Sequence, residues 1–233
     1  MNGTRDKPER LVIAIDGPSG AGKGTIARAL ARHLAYRHVD TGAMYRAIAW
    51  LARERGVPLD DEDGVAQVAS ASVLSVSDDG VAINGHDVTT AIRTPEMDRA
   101  AAAVARLPAV RRVLVARQRA LGAGGGVVME GRDIGTVVFP DADVKIYLDA
   151  DPAERARRRA HDPAHTGGAA PVTDVASAMA ARDRLDATRA ASPLAVADDA
   201  IRIDTTGLPI EEVVRRVLDV VGERAREAKR TRF

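Results

Sequence analysis

The stretch Leu11-Val-Ile-Ala-Ile-Asp16-Gly17-Pro18-Ser19-Gly20-Ala21-Gly22-Lys23-Gly24-Thr25 decides the fold. An apolar run short enough for a buried strand ends at Asp16, and apolar 3–4 spacing begins at Gly24 and continues to Ala35. Between them lies G-x-x-x-x-G-K, in the strand–loop–helix setting that gives this motif its meaning. Its glycines let the backbone fold close around phosphate oxygens, with the N–H groups of the helix start pointing at them. Lys23 brings a positive charge to the phosphoryl group being moved. The motif departs from its general form in one place: Gly24 stands where Ser or Thr usually follows the lysine. A hydroxyl cannot reach a metal ion from that position, which argues against a nucleotide-dependent switch or motor. It favours the small-molecule kinases, where Mg²⁺ is held mainly by ATP phosphates and water.

Composition narrows the field further. The 233 residues carry 34 Lys plus Arg against 33 Asp plus Glu, a net charge of +1. Such a balance argues against bulk electrostatic binding to nucleic acid. One Trp, three Tyr and two Phe are too few for a surface that stacks single-stranded bases. The lack of Cys excludes disulfides, thiolate chemistry and cysteine-built zinc sites. Only four of the 34 basic residues are lysines (Lys7, Lys23, Lys145 and Lys229), so Lys23 stands where arginine would be the default. The apolar run Leu11–Ile15 falls far short of the roughly 18 residues of a spanning helix, and residues 1–10 lack the apolar region of a signal peptide. The expectation is a soluble, cytoplasmic monomer with no membrane or nucleic-acid partner.

Working outward, four further short runs read as buried parallel strands: Arg37–Asp40, Val127–Glu130, Val144–Leu148 and Ile201–Asp204. Helical patterns separate them, over Ala43–Arg55, Leu107–Leu121, Pro152–Ala160, Val172–Ala190 and Pro209–Ala228. Asp151-Pro152-x-Glu154 adds a helix-start signature to the third of these. Alternation of this kind predicts a doubly wound α/β fold: a five-stranded parallel sheet flanked by helices. Residues 57–108 break the rhythm. There Val73–Val76 and Val81–Ile83 flank Asp78-Asp79-Gly80, predicting a hairpin in an inserted lobe framed by one or two helices. Residues 1–10 are expected to be a flexible lead-in, 11–223 the kinase domain, and 224–233 a frayed basic helix end.

Several further motifs carry a family resemblance: Asp40-Thr-Gly-Ala-Met-Tyr-Arg46, Glu130-Gly-Arg-Asp-Ile-Gly-Thr-Val-Val-Phe-Pro140, Val144-Lys-Ile-Tyr-Leu-Asp-Ala150, and Arg182-Asp-x-x-Asp186-x-x-Arg189 followed by Ser192-Pro-Leu194. With the loop, and in this order, they make the chain resemble the bacterial cytidylate kinases, of the nucleoside-monophosphate kinase family, over about Leu11 to Val221. The resemblance implies transfer of the ATP γ-phosphoryl group to CMP or dCMP, with Mg²⁺. Another acceptor such as UMP, AMP or shikimate is the alternative, and the inserted lobe and the Asp186–Arg189 motif favour a nucleotide.

It further implies that Gly17, Pro18, Ser19, Gly20, Ala21, Gly22, Lys23, Gly24, Thr25 and Arg159 meet ATP. Thr41, Tyr45, Arg46, Arg111, Arg132, Asp133, Arg182, Asp186 and Arg189 meet CMP, with Arg111 and Asp133 reading the base. Lys23, Arg132, Arg158 and Arg182 form the catalytic set, and residues 155–171 form a lid. The residue types suit this chemistry, because planar guanidinium forks clamp phosphates better than lysines do. Plainer readings exist for some positions. Arg132-Asp133 fits a turn ion pair, Asp186 and Arg189 an exposed i,i+3 pair, and Tyr45 simple packing; Arg111 and Arg112 compete to point inward. Ala100-Ala-Ala-Ala103 lacks the serine the family often carries there, so base selection is expected to lean more on Arg111 and Asp133. His161 and His165, separated by Pro163, are not expected to hold a metal.

Overall fold

A computed structural model describes residues 10–77, 80–162, 171–189 and 191–230. Its main sheet is parallel and five-stranded: β1 (Val12–Asp16), β2 (Arg37–Asp40), β6 (Val127–Glu130), β7 (Val144–Asp149) and β8 (Ile201–Asp204), in the order β2-β6-β1-β7-β8. Side chains alternate between its faces, as the two-residue period of a strand requires. Ala14, Val39, Val127 and Met129 join one apolar cluster, whereas Ile13, Ile15, Val128 and Ile146 join the other. Helix α1 (Lys23–Leu34) and the last helix, α8 (Ile210–Arg230), cover the second face. That last helix runs on through Arg230, across most of the stretch expected to be frayed.

The first face is covered by α2 (Thr41–Glu54), α5 (Pro108–Gly122) and the inserted lobe. The lobe holds α3 (Glu62–Ala71), an antiparallel sheet of β3 (Leu74–Val76), β4 (Val81–Ile83) and β5 (His86–Asp87), and α4 (Pro95–Val104). The expected hairpin is present; its third strand, two residues long, is too short to leave a periodic trace. Its apolar residues Val65, Ile83, Ile92 and Met97 belong to the same cluster as Val39 and Met129 of the main sheet. Two more helices complete the described fold, α6 (Pro152–Ala160) and α7 (Val172–Ala187). Asp151 caps α6 by accepting from the Ala153 N–H at 2.8 Å, with Pro152 in its first turn, as the local sequence predicts. Most of the expected lid loop, residues 163–170, lies outside the described residues, as do residues 1–9 and 231–233.

The central strand β1 lies between β6 and β7, so its carboxyl end opens at the point where the strand order reverses. Open α/β sheets bind their ligands there. The Gly17–Gly22 loop emerges at this end, and a Cβ on Gly17 would stand 2.0 Å from the Leu148 carbonyl oxygen, which forces glycine at that position. Just beyond β6 the chain makes a single π-type turn, Ile134–Val138. Asp16 organises this turn from across the sheet: its two carboxylate oxygens accept from the Ile134 and Gly135 N–H groups at 2.8 and 2.7 Å. Burial raises the Asp16 carboxyl to about 6 despite these two bonds.

Candidate active site

A cleft of about 710 Å³ spans the carboxyl ends of the strands. One end is the phosphate loop and the start of α1. Lys23 is 7% exposed, and its Nζ donates to the Pro18 carbonyl at 2.7 Å. Burial lowers its pKa to about 7, and the nearby Arg132 and Arg182 push the same way. The loop is braced from α6, where Arg155 Nη1 donates to the Ser19 carbonyl at 3.0 Å and to Asp183 at 2.5 Å. Arg158 lies on the same side of the cleft. It donates to Glu154 at 2.8 Å and, through both Nη atoms, to the Thr205 hydroxyl and carbonyl at 2.9 and 2.7 Å.

The structure accounts for Gly24. The Glu130 carboxylate closes on the first turn of α1, so a Cβ at position 24 would meet Oε1 at 3.0 Å. A carboxylate from β6 thus occupies the space that a side chain after the lysine would need. Buried His38 holds this carboxylate, with Nε2 3.1 Å from Oε1, and Thr41 ties down the Glu130 carbonyl at 2.7 Å.

Arginines converge at the other end. Asp40 ends β2 and caps α2, accepting from the Ala43 N–H at 3.0 Å; its second oxygen accepts from Arg46 at 2.9 Å. Burial would raise this carboxyl, but the Arg46 guanidinium and the Ala43 N–H outweigh burial and hold it at about 2. Arg132 donates to Asp186 at 3.0 Å, and Arg189 stands 3.7 Å from the other Asp186 oxygen. Arg182 and Arg159 both turn toward Asp98 of α4. Asp186 and Arg189 are therefore parts of a buried network and not an exposed pair.

Deeper in the cleft, Arg111 and Asp133 form a close ion pair, and Arg111 Nε donates to the Ser192 hydroxyl at 3.2 Å. Arg111 is 4% exposed and Arg112 is exposed, which settles which of the two points inward. The Arg111 guanidinium lies 5.7 Å from the centre of the Tyr45 ring, so Tyr45 packs beneath a charge and does more than fill the core. Burial raises the Tyr45 hydroxyl to about 12 and raises Asp133, whose acidity Arg111 and Arg189 partly restore. Ala101, Ala102 and Ala105 supply an apolar wall. Ser192 holds a left-handed backbone, φ 53°, that non-glycine residues rarely adopt, and its carbonyl accepts from Arg189 at 2.8 Å.

All the expected catalytic and nucleotide-binding residues line this one cleft except Gly17 and Pro18, at the start of the loop. Sequence reasoning gave no role to Asp16, His38, Asp98 or Thr205, and gave Arg155 only a place at the start of the expected lid, where the structure has it brace the phosphate loop. Glu130 was visible at the end of a strand, next to Gly131-Arg132, though nothing marked it as the partner of Gly24.

A glycine-rich loop at the carboxyl end of the central strand, sharing one cleft with arginines from separate helices, is the arrangement of a P-loop phosphotransferase for small molecules. A solved gluconokinase from Sinorhizobium meliloti 1021 shares the fold (TM-score 0.51, 14% identity, 97% of this chain and 99% of that one). The cytidylate kinase family model matches residues 13–223. The cytidylate kinases of Solibacter usitatus and Pelotomaculum thermopropionicum are 49% and 48% identical to this chain over 220 residues each. The matches cover 94% and 92% of this chain, and 95% and 97% of those proteins. The chain belongs to the cytidylate kinase family, and with membership comes the activity, ATP-dependent phosphorylation of CMP. No helix among the described residues is long and apolar enough to cross a membrane.

Proposed function

We propose that the cleft seats ATP on the Gly17–Thr25 loop and CMP or dCMP against the arginine end, and moves the γ-phosphoryl group in line between them. The observation that carries this reading is that Lys23, Arg46, Arg132 and Arg182 line a single cleft, with Arg132 and Arg182 close enough to lower the Lys23 pKa. Phosphoryl transfer asks little covalent chemistry of the protein, so catalysis rests on alignment and on offsetting charge. Arg46 and Arg132 hold the acceptor phosphate, while Lys23, Arg158 and Arg182 meet the charge that develops on the transferred group. Asp133 accepts from the cytosine amino group and Arg111 donates to its ring carbonyl and nitrogen, backed by Tyr45. Asp186, Arg182 and Arg189 face the ribose, and Arg159 closes from the lid side. The protein acts in the cytoplasm as a monomer and needs neither nucleic acid nor membrane.

The donor set suits Mg²⁺ carried by ATP. No cluster of three or more His, Asp or Glu side chains able to cage an ion exists among the described residues, while one carboxylate, Glu130, stands at the loop beside Gly24. Mg²⁺ keeps several waters and accepts few protein ligands. Glu130, oriented by His38, and the Thr25 hydroxyl would hold it through those waters. When bound, it neutralises phosphate charge and fixes the phosphate geometry.

Two measurements test this reading. With ATP and a panel of CMP, dCMP, UMP, AMP and GMP, turnover should be highest for the cytosine nucleotides; equal or faster turnover of AMP or UMP would overturn the base assignment. The second follows from the lowered pKa of Lys23. Phosphates bound beside it favour the ammonium, so ATP binding at pH 8 should take up close to one proton, and affinity should fall between pH 7 and pH 9. Calorimetry in buffers of different ionisation enthalpy reads the proton directly. Zero uptake would mean that Lys23 is already charged in the free enzyme.

A further inference from the structure

Asp98 lies in the first turns of α4, on the lobe, in a helix otherwise rich in alanine. Its carboxylate meets guanidinium groups from three other helices. Oδ1 is 3.8 Å from Arg46 Nη1 of α2 and 3.4 Å from Arg182 Nη1 of α7, while Oδ2 accepts from Arg159 Nη2 of α6. The nearby carboxylates are committed elsewhere: Asp186 to Arg132, Asp183 to Arg155, and Asp40 to the cap of α2 and the far side of Arg46. One carboxylate does not satisfy the group. Arg46 Nε and Arg182 Nε are buried without a hydrogen-bond partner among the described residues. Three convergent arginines with donors to spare suit an anion with more oxygens than a carboxylate has.

We propose that Asp98 is a built-in stand-in for the acceptor phosphate, holding Arg46, Arg159 and Arg182 together in the ligand-free enzyme and competing with the nucleotide for them. This rests on the reading of Arg46 as a clamp on the acceptor phosphate, with Arg182 at the transferred group and Arg159 closing from the lid side. In the free enzyme the carboxylate offsets repulsion in a crowded cationic cluster; burial and the neighbouring Arg132 already lower Arg182 to about 10. It also ties the lobe helix to the helix leading into the lid, so an arriving phosphate exchanges an internal tie for a ligand. The competition costs affinity and maintains a preformed clamp.

The test is Asp98→Asn, which removes the charge and nearly keeps the shape. Sulfate and inorganic phosphate, titrated by calorimetry and by their effect on melting temperature, should bind the variant about 5- to 10-fold more tightly than the wild type. KM for CMP should fall by a similar factor, KM for ATP should hold, and the anion-free melting temperature should drop. Equal or weaker sulfate binding, with a raised KM for CMP, would overturn the proposal and make Asp98 a permanent orienting group. If the variant folds poorly, the wild type soaked in sulfate decides. An anion seated among the three arginines with Asp98 swung aside supports the proposal, and Asp98 unmoved on all three overturns it. Because the sulfate arms do not depend on CMP turnover, failure of the kinase reading would appear separately, as wild-type protein that binds sulfate and leaves CMP untouched.

Discussion

Lys23→Arg should lower kcat by about 10²–10³-fold and leave the fold intact. The lysine sits almost fully enclosed between the Pro18 carbonyl and the charges of Arg132, Arg182 and Glu130. A planar fork is wider than an ammonium and cannot deliver a point charge in that space. Overpacking costs about 1–3 kcal/mol, a drop of several degrees in melting temperature at this chain length. Lys23→Met separates the two effects. It removes a cation that burial disfavours, so stability should hold or rise while turnover is lost to the same degree. A fully active Lys23→Arg enzyme would show that the loop lysine has no catalytic part.

The second large effect is expected at Arg111→Met. Its ion pair with Asp133 is buried on both sides, and removing one partner of such a pair typically costs about 3–5 kcal/mol, because the other is left uncompensated. Burial already raises the Asp133 carboxyl, and Arg111 is the main charge opposing that rise, so its loss should push Asp133 further up. If the pair reads the base, KM for CMP should rise by about 10²-fold or more, with KM for ATP nearly unchanged. Asp133→Asn added to Arg111→Met should recover much of the stability without recovering CMP affinity. A double-mutant cycle with coupling under about 0.5 kcal/mol would reduce the pair to two independent contacts.

The parallel strands were legible because burial on both faces leaves short apolar runs, and the phosphate loop because glycine spacing and a rare lysine mark it. The arginine end was legible only through the motifs of the family. What the sequence hid has a common cause: contacts made across the fold. Ile134–Val138 reads as an apolar run, yet Asp16, more than a hundred residues earlier, shapes it into a π-type turn. His38 looks like one more strand residue until β2 brings it against Glu130 on β6. Asp98 follows Glu96 and precedes Arg99 at the start of a helix, where acidic residues are ordinary, with no local pattern to mark it. Even the choice between Arg111 and Arg112 turned on the rotation of α5, which apolar spacing alone defines loosely.

The apolar cluster that runs unbroken from Val39 and Met129 of the main sheet to Ile83, Ile92 and Met97 of the inserted lobe limits how the protein can be rebuilt. The lobe is a continuation of the interior and not a detachable cassette. Excising residues 57–107 would leave α2 and α5 on that sheet face but expose the apolar sides they turn toward the lobe. Grafting the lobe onto another phosphate-loop scaffold to alter its acceptor would fail for the same reason, unless the recipient's sheet face and its second helix came with it.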